Sequence, residues 1–297
     1  MTELFSTPGA GRPEPERDRF GRYLLTNPET GQSQPWQRTT TFAKMASDTF
    51  NLTQWQMRNV AVGLAKRPDL LALAATLSVS EDSKKLNDVC NQAKEAAGGS
   101  AAANTGTALH SFTEAHDEGR TKDVPEAYHH RIREYQRAID NAQLTILPEY
   151  IERVSVSTKY GVAGTYDRVV REAEGEHVIF DLKTGRDLSY GMAEIAIQLA
   201  VYADCVNTAG VWTINEGVWE EHPKVRTDYA IVAHLPASGT GCQLYRIDLE
   251  VGRRGADICQ QVRDFRKVKN SGVKWTPAPP VRAGVNEAWA VRLVAAA

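Results

Sequence analysis

The sequence lacks any apolar run long enough to cross a bilayer, and no apolar segment follows its charged N-terminus. A membrane-spanning helix needs about 20 mostly apolar residues in succession, and a secretory signal needs an apolar core behind its first charges. We therefore expect a protein of the cytoplasm that does not act on a membrane. Its 42% hydrophobic and 24% charged residues, in a chain of 297, are typical of an ordinary globular protein.

Cysteine is scarce, and its spacing does not indicate a metal site. Cys90, Cys205, Cys242 and Cys259 include no C-x-x-C pair, which argues against a zinc knuckle or a disulfide framework. A Gly-x-x-x-x-Gly-Lys-Ser/Thr loop is also absent, so the sequence does not predict a nucleotide-driven motor. The net charge of −2 shows no overall excess of positive charge, so contact with nucleic acid would need a local basic surface.

The distribution of proline and apolar residues predicts four regions. Residues 1–36 hold five of the thirteen prolines and predict a flexible or extended arm. Helical spacing of apolar residues predicts a helical region over residues 37–100, followed by a helix at 101–117 and another from Asp123 to Pro148. We expect residues 101–270 to form the core domain and residues 271–297 an irregular tail.

After Pro148 the apolar residues alternate, which is typical of strands. The predicted strands cover about residues 150–157, 164–171, 177–183, 211–219, 229–235 and 244–249. A helix is predicted at about 190–206, and a last helix at about 252–269. The expected fold class is therefore α/β (α+β), with a helical N-terminal portion.

Asp181 and Lys183 form the most informative pair in the chain. In VIFDLK, residues 178–183, the alternation of a strand places both side chains on one face. A carboxylate can hold a hard divalent cation, and a neighbouring ammonium group would assist hydrolysis of a phosphodiester. The alternative is an ion pair at a strand end, and Asp82 and Lys84 show the same spacing on a polar helix.

Asp167 lies fourteen positions before Asp181, in a segment that predicts a hairpin with the Asp181 strand and a turn near Gly175. Two carboxylates brought close together repel each other unless a cation lies between them, so this pairing favours a divalent metal ion. The alternative for Asp167 is a carboxylate that caps a turn behind Gly161 and Gly164.

Two helices supply further candidates. Gln198 and Tyr202 lie one turn apart on the helix after the Asp181 strand, where both would face a phosphate or a base. The alternative is that Gln198 is a surface amide and Tyr202 a core residue. His110 is a candidate metal ligand, because Gly106 one turn earlier permits close approach of its helix. Glu114 shares the face of His110 and is an additional candidate ligand.

Four short motifs occur in a characteristic order: GTALH with His110, GTYD with Asp167, VIFDLKTG with Asp181 and Lys183, and QLAVY with Gln198 and Tyr202. This order, over about residues 104–203, resembles the RecB-type nucleases of the PD-(D/E)XK superfamily. The resemblance implies a restriction-endonuclease-like mixed sheet flanked by helices. It also implies a phosphodiester hydrolase that acts in DNA recombination, repair or replication in a bacterial or phage-infected cell.

The resemblance also implies roles for individual residues. His110, Asp167, Asp181 and the backbone carbonyl of Leu182 would bind Mg²⁺ or Mn²⁺, and Lys183 would orient or activate the attacking water. Gln198 and Tyr202 would contact DNA. One branch of the family carries an iron–sulfur cluster on closely spaced cysteines, and the dispersed cysteines of this chain predict no such cluster.

The last predicted helix is rich in lysine and arginine, and Arg263, Arg266 and Lys267 are candidate phosphate contacts. The substrate would be a duplex end or a single strand of DNA, with a separate recombinase, annealing protein or helicase as partner. The sequence predicts an exonuclease, and leaves open a restriction-like endonuclease, a nuclease acting on RNA, or an inactive DNA-binding module on the same fold.

Overall fold

The structure is a computed structural model that describes residues 14–268, except for the side chain of Ala102. It divides the chain into two compact units, residues 1–263 and residues 264–297. Of the second unit, only residues 264–268 are described. None of the described helices has the length and apolar character needed to span a membrane.

Residues 14–268 contain eight α-helices and eleven β-strands. The helices are α1 (Thr39–Ala43), α2 (Phe50–Lys66), α3 (Pro68–Ala74), α4 (Ser83–Ala96), α5 (Ala101–Asp117), α6 (His129–Asn141), α7 (Met192–Ala209) and α8 (Leu249–Phe265). The strands are β1 (Tyr23–Thr26), β2 (Ser33–Arg38), β3 (Thr145–Ile146), β4 (Arg153–Ser157), β5 (Val162–Tyr166), β6 (Arg168–Arg171), β7 (His177–Lys183), β8 (Val211–Thr213), β9 (Val218–Glu220), β10 (Tyr229–His234) and β11 (Gln243–Asp248).

A five-stranded sheet in the order β11-β10-β7-β6-β3 carries the central strand β7. Strand β10 runs parallel to β7, and the other pairs are antiparallel. Val178, Phe180 and Leu182 pack in a cluster with residues of α5 and α6, whereas Ile179 packs in a cluster with α7. This alternation confirms the prediction that Val178, Phe180 and Leu182 share one face of β7 and Ile179 lies on the other. Helices cover the apolar side chains of both faces.

A second, six-stranded sheet has the order β1-β2-β5-β4-β8-β9. Strands β5 and β6 follow each other in the chain but belong to different sheets, and Asp167 is the single residue between them. The predicted strand at 164–171 is therefore two strands with a break at Asp167. The mixed α/β fold that the sequence predicts is confirmed, and the break places a candidate catalytic residue where the two sheets meet.

The predicted flexible or extended arm, residues 1–36, contains regular structure, namely strand β1 and most of strand β2. Tyr23, Leu25 and Trp36 are buried, and the Trp36 indole donates a hydrogen bond to the Leu25 carbonyl at 3.0 Å. Pro35 lies opposite Leu24, whose N–H donates to Glu16 on the other side of the strand at 2.8 Å. Pro35 therefore removes no hydrogen bond between β1 and β2, which explains why proline is tolerated there.

Two other predicted elements are too long. The helix predicted from Asp123 to Pro148 is α6, which ends at Asn141 because Gln143 adopts a positive φ of 54° and Ile146 joins β3. The strand predicted at 211–219 is the hairpin of β8 and β9, with Gly217 at a φ of 64° in the turn. Helices α1 to α4 confirm that residues 39–96 are mainly helical. The predicted tail at 271–297 lies outside the described residues.

Candidate active site

Asp181 and Lys183 lie at the end of β7, on the same face of the strand. The Lys183 Nζ is 2.5 Å from Asp181 Oδ2. The Asp181 side chain is 1% exposed, and within residues 14–268 neither of its carboxylate oxygens accepts a hydrogen bond of good geometry. Among the described residues, Lys183 is the main group that offsets the cost of burying this carboxylate, so Asp181 has unused capacity to bind a cation.

Asp167 lies beside Asp181 through the pairing of β6 with β7. Arg168 is opposite Phe180 in this antiparallel pair. Asp167 precedes Arg168 and Asp181 follows Phe180, so the two aspartates lie next to each other, as the sequence predicts. Asp167 Oδ2 accepts a hydrogen bond from the Leu182 N–H at 2.9 Å. The Asp167 carboxylate therefore faces β7 at the level of the Asp181–Lys183 pair, and it does not cap a local turn.

His110 reaches this site from α5. Its Nδ1 is 3.4 Å from Asp167 Oδ2, although the two residues are far apart in the sequence. Burial lowers the pKa of His110, and only part of this effect is offset by Asp167. The imidazole is thus neutral near pH 7, which is the form that can bind a metal ion.

The two carboxylates have opposite pKa shifts. Burial, together with repulsion from Asp167, raises the pKa of Asp181 to about 7 despite the nearby Lys183 ammonium. Burial also acts to raise the pKa of Asp167, but at the acid pH where Asp167 titrates the charges of protonated His110, Lys183 and Arg168 outweigh it and lower the pKa. Burial acts to lower the pKa of Lys183, but Asp181 and Asp167 outweigh it and raise the pKa, so Lys183 stays protonated. Such divergent shifts are typical of catalytic sites.

The backbone of Leu182 is oriented as the predicted metal site requires. In an extended strand the N–H and C=O of one residue point to the same side. The Leu182 N–H points to Asp167, whereas the Lys183 carbonyl accepts from Leu235 N–H on the β10 side at 2.9 Å. The Leu182 carbonyl is therefore directed to the side of Asp167.

The donor set suits a hard divalent cation, because it combines carboxylate and carbonyl oxygens with a neutral imidazole. Among residues 14–268, however, no three His, Cys, Asp or Glu side chains are spaced as a complete ligand set. Asp181 is turned to Lys183, and Asp167 to Leu182 N–H. Joint metal binding by His110, Asp167 and Asp181 stays a prediction, as does that by Glu114, which is 9% exposed on α5.

Gly106 permits the approach of α5 to the end of β7. A Cβ atom at this position would lie 2.5 Å from Thr184 Oγ1. We expect Gly106→Ala to lower kcat by about 10- to 100-fold, because Thr184 Oγ1 and α5 must move apart and a shift of α5 carries His110 away from Asp167. Alanine favours helix over glycine by about 1 kcal/mol, so the loss would not reflect unfolding of α5.

The matched control for Gly106→Ala is the double variant Gly106→Ala/Thr184→Ala. Thr184→Ala removes the Oγ1 atom, and the remaining Thr184 Cβ would be 3.5 Å from the new Cβ, an ordinary contact. The double variant should recover most of the activity in steady-state digestion assays. Full activity of Gly106→Ala alone would show that the contact does not set the position of His110.

Gln198 and Tyr202 lie on α7, where Gln198 Nε2 donates to Tyr202 Oη at 3.3 Å. Tyr202 is 2% exposed and belongs to the cluster between α7 and the sheets, so most of its ring is core. A Cβ at Gly164 would lie 2.6 Å from the Tyr202 ring, which explains the glycine of the GTYD motif. Both residues border the same cleft as Asp167, and their contact with DNA stays a prediction.

The cleft beside Asp167 has a volume of about 940 Å³. Its walls come from the N-terminal hairpin, from α5, and from the strands β4 and β8. Charged residues of both signs border it: Arg17, Arg38, Arg153, Glu114, Glu118, Glu149 and Glu152. The cleft is thus the concave surface from which a substrate would reach Asp167.

A buried network next to Asp167 is absent from the sequence-based predictions. Arg168 is 0% exposed; its Nε donates to Asp117 Oδ2 at 2.5 Å and its Nη2 to Thr113 Oγ1 at 2.7 Å. Tyr135 Oη donates to the same Asp117 oxygen at 2.9 Å. Asp117 and Thr113 lie on α5 with His110, so the network ties this helix to the strand that follows Asp167. The steps of three residues from His110 to Thr113 and four from Thr113 to Asp117 along α5 were the available sequence signal.

The three basic residues predicted to contact phosphates, Arg263 on α8 and Arg266 and Lys267 just after it, belong to two units. In the first unit, Arg263 donates to the Tyr160 carbonyl at 2.5 Å and to Gln37 Oε1 at 3.2 Å, and its guanidinium carbon is 5.1 Å from the Phe42 ring centroid. These contacts give Arg263 a structural role. Arg266 and Lys267 belong to the second unit, where Lys267 pairs with Asp264 at 2.7 Å. Their contact with DNA stays a prediction.

Comparison with known families agrees with this geometry. The model of the PD-(D/E)XK nuclease superfamily matches residues 71–272, more than half of the chain. The chain belongs to the PD-(D/E)XK nuclease superfamily. No curated protein matches the sequence significantly.

Membership of the PD-(D/E)XK superfamily supports a metal-dependent nuclease, since its members typically use divalent metal ions. It also implies that the substrate is a nucleic acid. The matched residues include every candidate ligand of the site, from His110 to Lys183, and exclude the N-terminal hairpin.

Proposed function

We propose that this PD-(D/E)XK protein is a Mg²⁺- or Mn²⁺-dependent deoxyribonuclease that hydrolyses phosphodiester bonds, most often from a DNA end. The observation that carries the proposal is the Asp181 carboxylate, which is 1% exposed, has no hydrogen bond of good geometry within the described residues, and lies beside Lys183 and Asp167. Burial of such a group is explained if the fold serves to bind a cation.

When bound, a divalent cation would lower the pKa of the attacking water and neutralise charge on the phosphoryl oxygens. Asp167, Asp181 and the Leu182 carbonyl would hold it, together with neutral His110. Lys183 keeps its proton and places a positive charge at the reaction centre, where charge grows on the phosphate. Asp167 is held in place by Leu182 N–H, so its orientation does not depend on the substrate.

Attack from a DNA end is supported by the walls of the cleft. Segments from the N-terminal hairpin, α5 and β4 border it on several sides, which suits a strand end better than the middle of a long duplex. The resemblance of the four motifs to RecB-type nucleases supports a role in DNA recombination, repair or replication. A separate helicase, recombinase or annealing protein would then supply or use the processed strand.

The proposal is tested by digestion of end-labelled linear DNA, single-stranded and duplex, with Mg²⁺ or with EDTA. We expect products only with the metal ion, and mononucleotides or short oligonucleotides released from the end. Cleavage of covalently closed circular DNA would favour an endonuclease, and preferential cleavage of RNA would change the substrate. Absence of cleavage with all four substrates would contradict a nuclease.

Lys183→Met should separate catalysis from metal binding. We expect kcat to fall by about 100- to 1000-fold, which is the usual loss for one electrostatic contact to the transition state. Mn²⁺ should bind at least as tightly as to the parent protein, because Asp181 loses the ammonium 2.5 Å away that competes for its charge. Single-turnover digestion and Mn²⁺ titration measure the two effects, and Lys183→Arg is the control that keeps the charge. Unchanged kcat in Lys183→Met would exclude the proposed role of Lys183.

A further inference from the structure

A rigid turn at residues Asp18–Arg22, here called the Phe20 turn, lies before the region that matches the superfamily. Asp18 Oδ1 accepts hydrogen bonds from the N–H groups of Phe20 and Arg22, both at 2.9 Å. Gly21 closes the turn by donating to the Asp18 carbonyl at 2.8 Å, with a φ of 74° that favours glycine. The turn therefore has a fixed conformation of its own.

The Phe20 turn presents an aromatic ring to solvent between two cations. The Phe20 side chain is 68% exposed, although the guanidinium carbons of Arg19 and Arg22 lie 4.7 Å and 5.4 Å from its ring centroid. Arg22 is paired with Asp18 at 2.6 Å. Within residues 14–268, Arg19 forms no ion pair with another residue, so its charge is available to a ligand.

The turn borders a depression that shares Arg38 with the cleft that contains Asp167. Phe20, Arg22 and Arg38 border a depression of about 450 Å³, and Arg38 also borders the larger cleft. Arg38 is exposed and lies opposite Ala163 in the pairing of β2 with β5. Asp167 is four residues after Ala163, which is a distance of about 13 Å at the rise of a strand. This distance, from the position of Arg38 to Asp167, corresponds to a few nucleotides of an extended strand, and the Phe20 turn continues from Arg38 through the depression that both border.

Given the proposed function, we infer that the Phe20 turn binds the single-stranded part of the DNA substrate a few nucleotides from the scissile bond. A nucleobase would stack on the exposed face of Phe20, and Arg19 and Arg38 would contact phosphates. Proteins that bind single strands combine aromatic platforms with arginine or lysine in this way. The bases of a duplex are stacked on each other, so only an unpaired or terminal base can use Phe20.

The inference is tested by DNA binding in an Asp181→Asn background, in which no cleavage obscures the equilibrium. We expect Phe20→Ala to weaken binding of a fluorescein-labelled oligothymidylate by about 5- to 100-fold, as stacking contributes about 1–3 kcal/mol per base. Phe50→Ala is the matched control, because Phe50 is 64% exposed on α2 and does not border the cleft. It should change the dissociation constant less than about twofold.

An oligonucleotide with a run of abasic sites distinguishes stacking from a general effect on the fold. The abasic strand should bind the parent and the Phe20→Ala protein equally, since neither complex has a base to stack. Arg19→Gln should lower the slope of log affinity against log salt by about one unit, as for loss of one phosphate contact. Phe20→Trp should retain the affinity and show fluorescence quenching by the normal strand.

Equal binding of the normal strand by Phe20→Ala and its parent would overturn the inference, and so would an equal loss in Phe50→Ala. Failure of every variant to bind single-stranded DNA would also overturn it. These outcomes differ from failure of the proposed function, which would appear as absence of Mg²⁺-dependent cleavage by the unsubstituted protein. A protein that cleaves DNA but is insensitive to Phe20→Ala would refute only the role of the turn.

Discussion

Asp181→Asn is expected to abolish DNA cleavage and, at the same time, to stabilise the metal-free protein. Loss of a cation ligand that contributes several kcal/mol to the transition state should lower kcat by about 1000-fold or more. The stabilisation follows from the environment of Asp181, which is buried and without hydrogen bonds of good geometry among the described residues. Its ion-pair partner Lys183 is 24% exposed and keeps the neighbouring charge of Asp167, so Asp181→Asn does not leave Lys183 as an uncompensated buried charge. An amide in its place has no charge to desolvate.

The sign of this effect follows from the pKa of Asp181, which rises from 3.8 to about 7 on folding, chiefly through burial. The folded protein therefore binds this proton more tightly than the unfolded chain. The cost of ionisation is absent below about pH 4 and is fully present above pH 7. At pH 8, Asp181→Asn should raise the free energy of unfolding by on the order of 2–4 kcal/mol; at pH 4 the gain should vanish.

Urea denaturation at the two pH values, in EDTA, measures this gain. Adding Mn²⁺ should raise the midpoint of the parent protein and leave that of Asp181→Asn nearly unchanged, because ligand binding stabilises only the state that binds it. Asp82→Asn is the matched control: Asp82 has the same spacing to a lysine, but it accepts a hydrogen bond from Ser78 N–H, which lowers its pKa. Asp82→Asn should give no gain in the free energy of unfolding at pH 8. A gain as large as that of Asp181→Asn would refute the argument.

The sequence predicts the local part of this site well, because strand alternation and hairpin pairing are short-range. The bounds of β7 are those predicted, and the pairing of Asp167 with Asp181 follows from a hairpin with a turn at Gly175. His110 is predicted from the glycine one turn before it and from the family resemblance, since its motif lies far from the strands in the sequence. Its 3.4 Å contact with Asp167 depends on how α5 packs, which spacing alone does not determine.

The N-terminal hairpin and the buried Arg168 network are not predicted, and for different reasons. Nine of the 35 residues before Trp36 are proline or glycine, and the alternation of Tyr23 and Leu25 in a four-residue strand is too short to indicate a sheet. Arg168 is a charged residue, which normally indicates a surface position. Only the tertiary structure shows that Asp117 and Thr113 on α5 accept hydrogen bonds from Nε and Nη2 of its guanidinium.

Arg168→Met is expected to destabilise the protein by about 3–5 kcal/mol, the usual cost of breaking a buried ion pair by removing one partner. Asp117, which is 3% exposed, would keep the hydrogen bond from Tyr135 but lose the cation 2.5 Å away. A loss of this size is a large part of the total stability of a typical domain. The free energy of unfolding from urea denaturation measures it, with Arg137→Met on the exposed side of α6 as the control.

The double variant Arg168→Met/Asp117→Leu shows whether the pair serves stability or position. Replacing both charges with apolar groups of similar size removes the uncompensated carboxylate, so most of the lost stability should return. Cleavage should nevertheless stay at least about 10-fold below that of the parent, because α5 would no longer be tied to the strand beside Asp167, and His110 depends on that link for its position. A double variant that is both stable and fully active would mean that apolar packing alone holds α5 in place, and that the Arg168–Asp117 pair has no part in arranging the site.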